Sequence, residues 1–167
     1  MKQVLAKLDE IHQQMMDLVT PLDEERFAAR FAPGRWSAAE NIHHLYLVET
    51  KYVGLLQEAL ASSAPGMGPV RRLFQVPPRF VGVRLVRVKV PEKAVEPLNA
   101  PPKAVTLDNY NRVRGELKSL AAEHGAARLR AIAVPHPMFR LFDGVNAVLF
   151  LGYHELRHYK QIREMMK

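Results

Sequence analysis

Eight of the twelve prolines in this 167-residue chain fall between positions 62 and 105, at 65, 69, 77, 78, 91, 97, 101 and 102. A proline removes a helical hydrogen bond and its ring clashes with the preceding turn, so no long helix can cross that stretch. The sequence on either side is different in kind: two runs before it and two after it repeat their apolar residues every three or four positions. The expected fold is therefore all-α, a four-helix bundle with one long Pro-rich connection between helices 2 and 3. The length suits a single domain, 1–167, large enough to bury a core without a structural staple. Inside the connection, VRLVRVKV alternates like a strand, while Val81, Leu85 and Val88 also fit a helical stripe. A lone strand would have no partner, so an irregular segment with a short helix is expected, of a length often used as a lid or a wall of a binding site.

The first helix is expected over about 2–19, with Leu5, Leu8, His12, Met15 and Val19 on its inner face. His12 reads as a core histidine satisfied by one hydrogen bond. Thr20 and Pro21 stop this helix, and a turn-rich connection leads to Pro33-Gly34. The second helix, over 37–61, opens on a capping box in which Ser37 accepts from the free amides and Glu40 reaches back. Its inner arc uses Asn41, Leu45, Val48, Tyr52, Leu55 and Ala59; at 100° per residue His44 points inward and His43 toward the edge. The third helix is expected over 106–124, with Tyr110, Val113, Leu117 and Leu120 as its seam and Gly125 as its end. His124, in the last turn of that helix, suits the negative end of the dipole. His136 sits between Pro135 and Pro137 in what reads as a loop, with no obvious partner. The fourth helix, 143–166, is capped by Asp143.

That last helix places His154 and His158 four residues apart, and residues at i and i+4 lie on one face with Cβ atoms roughly 5–6 Å apart. Ala147, Leu151, His154, His158, Gln161 and Met165 form one stripe, so two imidazoles sit in an otherwise apolar surface. Buried polar groups need partners. Two adjacent imidazoles in a core can share a metal ion, as in helical H-x-x-x-H sites, although the spacing also arises by chance. A third ligand has to come from another helix, and His44 is the inward candidate.

Composition narrows the chemistry. The chain has no cysteine, hence no disulfide, no Cys-based zinc finger and no thiol nucleophile of its own. Its 24 Lys and Arg against 17 Asp and Glu give a net charge of +7, which draws anions. The basic residues are dispersed and carry no recognised nucleic-acid signature, which argues against nucleic acid as the partner. No apolar run is long enough to span a bilayer and the N-terminus lacks a signal-peptide core, so no membrane partner and a cytoplasmic location are expected.

Two patches, Trp36-Ser37-x-x-Glu40-x-x-x-His44-Leu45 and His154-x-x-x-His158-x-x-Gln161-Ile162, resemble the DinB/YfiT-like superfamily of metalloenzymes. The resemblance covers nearly the whole chain in element order, with its identifiable residues confined to those patches. It implies a four-helix bundle, often a homodimer, binding a divalent metal such as nickel or zinc through His44, His154 and His158. It also implies a metal-dependent enzyme acting on a small-molecule substrate, since relatives include thiol-dependent S-transferases and a thiol-dependent isomerase; such an S-transferase would here borrow an external low-molecular-weight thiol, and the chemistry of metal-bound water would equally permit a hydrolase. A metal held by three His with an open position lowers the pKa of a bound water or thiol. Glu40 and Glu155 are the candidate bases and Tyr153 and Gln161 could orient substrate, Glu40 and Gln161 being the candidate catalytic residues, and Arg71, Arg72, Arg79, Arg84 and Arg87 could draw an anion to the mouth. The alternative is a non-enzymatic bundle that binds a metal or an anionic partner without chemistry.

Overall fold

The computed structural model describes residues 1–166 apart from 31, 63–65, 69–74, 76, 83–94 and 139. The VRLVRVKV stretch, with Arg84 and Arg87, and the pair Arg71 and Arg72 lie outside the described residues.

Helix α1 (Lys2–Val19) buries Leu8, Ile11, Met15 and Val19, a three- and four-residue repeat along one face. Helix α2 (Glu24–Ala28) is a short turn within the segment expected to be irregular; Asp23 caps it by accepting from the Arg26 N–H at 2.7 Å, and Phe27 is its fully buried anchor. Helix α3 (Ala38–Ala61) starts where the capping box places it. The Ser37 hydroxyl accepts from the Glu40 N–H at 3.1 Å, and the Glu40 carboxylate accepts from the Ser37 N–H at 2.8 Å. Replacing Ser37 by Ala is expected to cost about 1 kcal/mol, because it leaves one amide at the helix start unpaired. Urea unfolding at fixed pH measures this, and an unchanged midpoint would show that the cap is dispensable.

Helix α4 (Lys103–Ala131) is longer than expected at both ends. It begins directly after Pro101-Pro102, and Glu24 of α2 accepts from its first free amide, Lys103 N–H, at 2.9 Å. Gly125 does leave the helical conformation, with φ 68° and ψ 171°, as its expected role as a terminator requires. A further turn and a half then resumes to Ala131, because Leu129 is drawn wholly into the core. After it the chain forms a hairpin not foreseen from sequence. Strands β1 (Ala133–His136) and β2 (Arg140–Asp143) pair antiparallel, with Val134 opposite Phe142 and His136 opposite Arg140. His136, expected in a loop without a partner, ends β1; its Nδ1 accepts from the Met138 N–H at 3.0 Å, and its ring meets Phe142 and Phe150. Helix α5 (Gly144–Met165) follows at once, capped by Asp143, which accepts from the Asn146 N–H at 2.8 Å.

The four long helices form the bundle. Helix α3 packs chiefly on α4 and α1 on α5, while α3 and α5 also touch directly. A 3-10 turn at Pro78–Gly82, in the long connection between α3 and α4, lies against α5. The core is made of Leu8, Met15, Ile42, Leu56, Tyr110, Leu117, Leu129, Phe142 and Ile162, each with at most trace exposure. Each such Leu, Ile or Phe contributes about 1.5–3 kcal/mol by leaving water, far more than helix propensity does. Among the described residues, no helix is long and apolar enough to cross a membrane.

A three-histidine centre between α3 and α5

His44 of α3 and His154 and His158 of α5 meet, with one ring nitrogen from each lying within 4.8 Å of the others. The helical phases require this: each residue sits on the face of its helix that turns toward the other helix. The rings pack with centroids 5.2 Å apart for His44 and His154, 5.1 Å for His44 and His158, and 4.7 Å for His154 and His158.

Hydrogen bonds assign the nitrogens. His44 Nδ1 lies 2.6 Å from the Val95 carbonyl, which can only accept, so Nδ1 carries the proton and Nε2 is left with its lone pair. Asn41 does the same for His158. Its amide nitrogen donates to the Ser37 carbonyl at 2.7 Å and the Trp36 carbonyl at 3.2 Å, which fixes its oxygen toward His158 Nδ1 at 2.7 Å. His158 Nε2 then faces His154 Nε2 at 3.1 Å. His154 Nδ1 is buried and has no hydrogen-bond partner among the described residues.

Aromatic rings wall the cluster. Trp36 lies 4.9 Å from His44 and stacks on His158 at 6.1 Å with 10° between planes; Phe150 stacks on His154 at 5.5 Å and 11°. The removal of water lowers the basicity of His44, a shift that the Val95 carbonyl opposes and the nearby His43 adds to. His154 is held well below the usual histidine range by the same burial, with His44 and Arg157 adding to it. Neutral imidazoles with lone pairs turned toward one point are what a divalent cation needs, and the partners on the Nδ1 atoms of His44 and His158 orient those two rings as outer-shell groups do in metal sites. The donor set therefore fits a borderline metal such as zinc or nickel.

Other sequence candidates fall in different places. Burial alone would raise the Glu40 carboxyl, but hydrogen bonds from Arg30 and the Ser37 N–H outweigh it and hold the group below its ordinary value. One of these, from Arg30 Nε, measures 2.9 Å. Gln161 is half-buried one turn beyond His158, and Tyr153 is half-buried beside His154. Glu155 is turned away from the three His, with His12 Nδ1 at 2.9 Å and Arg114 Nη2 at 3.0 Å. Arg79 lies over the Phe80 ring at 5.6 Å. The residues missed were Asn41 and Val95. Asn41 carried a signal, a lone amide in the apolar arc of α3 one turn before His44; Val95 acts through its backbone and carried none.

A model of the DinB superfamily matches residues 7–162. Among solved structures, TT2238, a four-helix bundle protein, superposes with a TM-score of 0.63 at 18% identity, covering 98% of each chain. YfiT from Bacillus subtilis, described as a probable metal-dependent hydrolase with an unusual four-helix bundle topology, superposes with a TM-score of 0.58 at 14% identity, over 98% of this chain and 84% of that one. No curated protein sequence matches the chain significantly. With the family model spanning nearly all of the bundle, both helices of the three-histidine centre included, the chain belongs to the DinB superfamily.

Proposed function

We propose that this protein is a metal-dependent enzyme in which His44, His154 and His158 hold one divalent cation, nickel or zinc, and which acts on a small-molecule substrate as a hydrolase or a thiol-dependent S-transferase. The observation that carries the reading is the meeting of three imidazole nitrogens within 4.8 Å, two of them oriented by acceptors on Nδ1. The description of YfiT as metal-dependent agrees with it. A cation on three neutral nitrogens supplies Lewis acidity, which makes water or a thiol nucleophilic near neutral pH.

The chain's own residues divide the remaining work. Asn41 and the Val95 carbonyl keep protons on the Nδ1 atoms of His158 and His44, so that their Nε2 lone pairs would be free to hold an ion. Trp36 and Phe150 exclude water from two sides, which strengthens each electrostatic contact inside. His154, whose Nδ1 is buried but whose side chain is less enclosed than those of His44 and His158, marks the side from which substrate enters, where Gln161 can orient it. Glu40 acts at one remove, by anchoring the start of the helix that carries His44. Because the sequence has no cysteine, the transferase form takes its thiol from a low-molecular-weight donor. A homodimer in the cytoplasm belongs to the same proposal.

The test is elemental analysis of untagged protein purified without chelators, joined to assays of ester and amide hydrolysis and of thiol transfer to small electrophiles. About one nickel or zinc per chain with turnover that disappears on chelation is the expected result. A fully loaded protein that is inert across both panels favours the non-enzymatic bundle, and a protein that takes up no metal sinks the metal reading.

A further inference from the structure

Behind the three-histidine centre, the core holds a second polar cluster that the proposed chemistry does not use. Arg114 of α4 is 2% exposed, Glu49 of α3 is 2% exposed and Glu155 of α5 is fully buried. One nitrogen, Arg114 Nη2, reaches Glu49 at 2.8 Å, Glu155 at 3.0 Å and the Tyr110 hydroxyl at 2.9 Å. The other oxygen of Glu155 meets His12 Nδ1 of α1 at 2.9 Å, and His12 Nε2 meets the Asn111 side-chain oxygen at 2.9 Å. All four long helices thus contribute to one network, buried at Glu49, Arg114 and Glu155 and reaching the surface at Asn111.

Its placement is informative. Glu49 lies on the helix of His44, and Glu155 immediately follows His154. A single guanidinium therefore joins the two helices that carry the three His, on the side away from them. Apolar packing between two helices tolerates a small rotation of either one. The hydrogen bond from Arg114 to Glu49 and its ion pair with Glu155 do not, because a missed contact leaves a buried charge unsolvated. We propose that Arg114 is a positioning residue for the three-histidine centre: by holding Glu49 and Glu155 through one nitrogen, it sets the rotation of α5 against α3 and keeps His154 and His158 facing His44 before any ion arrives. This inference rests on the metal reading for its consequence, but not for its geometry.

A stability effect alone would not establish it, so the test separates stability from orientation. In the triple variant Glu49→Leu, Arg114→Met, Glu155→Leu, every charge is replaced by an apolar side chain, a change that buried ion clusters often accept without loss of stability. It is expected to melt near the wild-type temperature, yet to bind zinc about tenfold more weakly in competition with a chromophoric chelator, the size of loss typical of disturbed outer-shell support. In metal-free protein, ring-nitrogen NMR should show His44 and His158 fixed with the proton on Nδ1 in the wild type and mixed in the triple variant. Arg114→Lys, whose ammonium can also offer one nitrogen to both carboxylates, should restore most of the affinity, whereas Arg114→Gln should not.

Wild-type zinc affinity and fixed tautomers in the triple variant would overturn the proposal. If that variant does not fold, equal zinc affinity in Arg114→Lys and Arg114→Gln would overturn it instead. A wild type that binds no zinc would overturn the metal reading, while the metal-free spectra would still decide the positioning role.

Discussion

Replacing His158 by alanine is expected to weaken zinc or nickel binding by about 100-fold or more, because it removes one of three direct ligands where even an outer-shell loss typically costs 10–100-fold. Alanine is the best helix former, so α5 should persist around the change. The loss can be read without knowing the substrate. A ligand that binds only the folded state stabilises it by mass action: at a metal concentration about 100 times the wild-type Kd, the wild type gains about 2.7 kcal/mol. Under the same conditions a variant bound 100-fold more weakly gains only about 0.4 kcal/mol. Thermal melts with and without metal, taken for both proteins, cancel whatever the lost ring costs the metal-free fold. The same chelator-dependent shift in wild type and His158→Ala would show that the ion binds elsewhere. Activity measured in parallel should track metal occupancy, and activity that survives with the site empty would separate turnover from the three-histidine centre.

The three His were legible because helical phase is a long-range ruler: at 100° per residue, the apolar neighbours Leu45 and Val48 fix the direction of His44, and Ala147 and Leu151 fix that of His154 and His158. The start of α3 was legible for a local reason, since the Ser37 and Glu40 pairing is complete within four residues. The hairpin was not. Two strands of four residues, one holding Pro135, are too short to show a period of two, and what holds them is packing of Val134 and Phe142 into the core. Helix α2 escaped notice because its single apolar anchor, Phe27, makes no repeat. Beyond Gly125, α4 resumes on the strength of one contact, the burial of Leu129. The polar network behind the centre could have been suspected from Arg114, which falls on the same seam as its partner Tyr110, but Glu49 and Glu155 come from two other helices and have no sequence spacing to it. His12 was expected to make one hydrogen bond and makes two, one of them to Glu155.

That network also makes stability depend on pH in a definite direction. Glu49 lies fully buried with Glu155 close by, and Arg114 is the cation that faces it. Burial raises the Glu49 carboxyl to about 7 despite the opposing pull of Arg114, and its second oxygen, Oε1, has no hydrogen-bond partner among the described residues. In the unfolded chain the same group ionises near its ordinary value of 4.5. Between those two values the folded protein holds a proton that the unfolded chain releases, so unfolding becomes easier as the pH rises. The stabilisation is complete below about 4.5, declines through the interval and is gone above about 7. A shift of this size corresponds to about 2–3 kcal/mol between pH 5 and pH 8. Glu49→Gln keeps an acceptor for Arg114 and never ionises, so it should lose this dependence. Chelated, metal-free wild type and Glu49→Gln are to be unfolded in urea at both pH values; titrating groups outside the cluster are common to the two proteins and drop out of their difference. The variant should gain on the wild type by about 2–3 kcal/mol on going from pH 5 to pH 8. A difference that stays flat with pH would mean that Glu49 is already ionised at pH 5, and that Arg114 compensates both carboxylates more fully than the buried geometry implies.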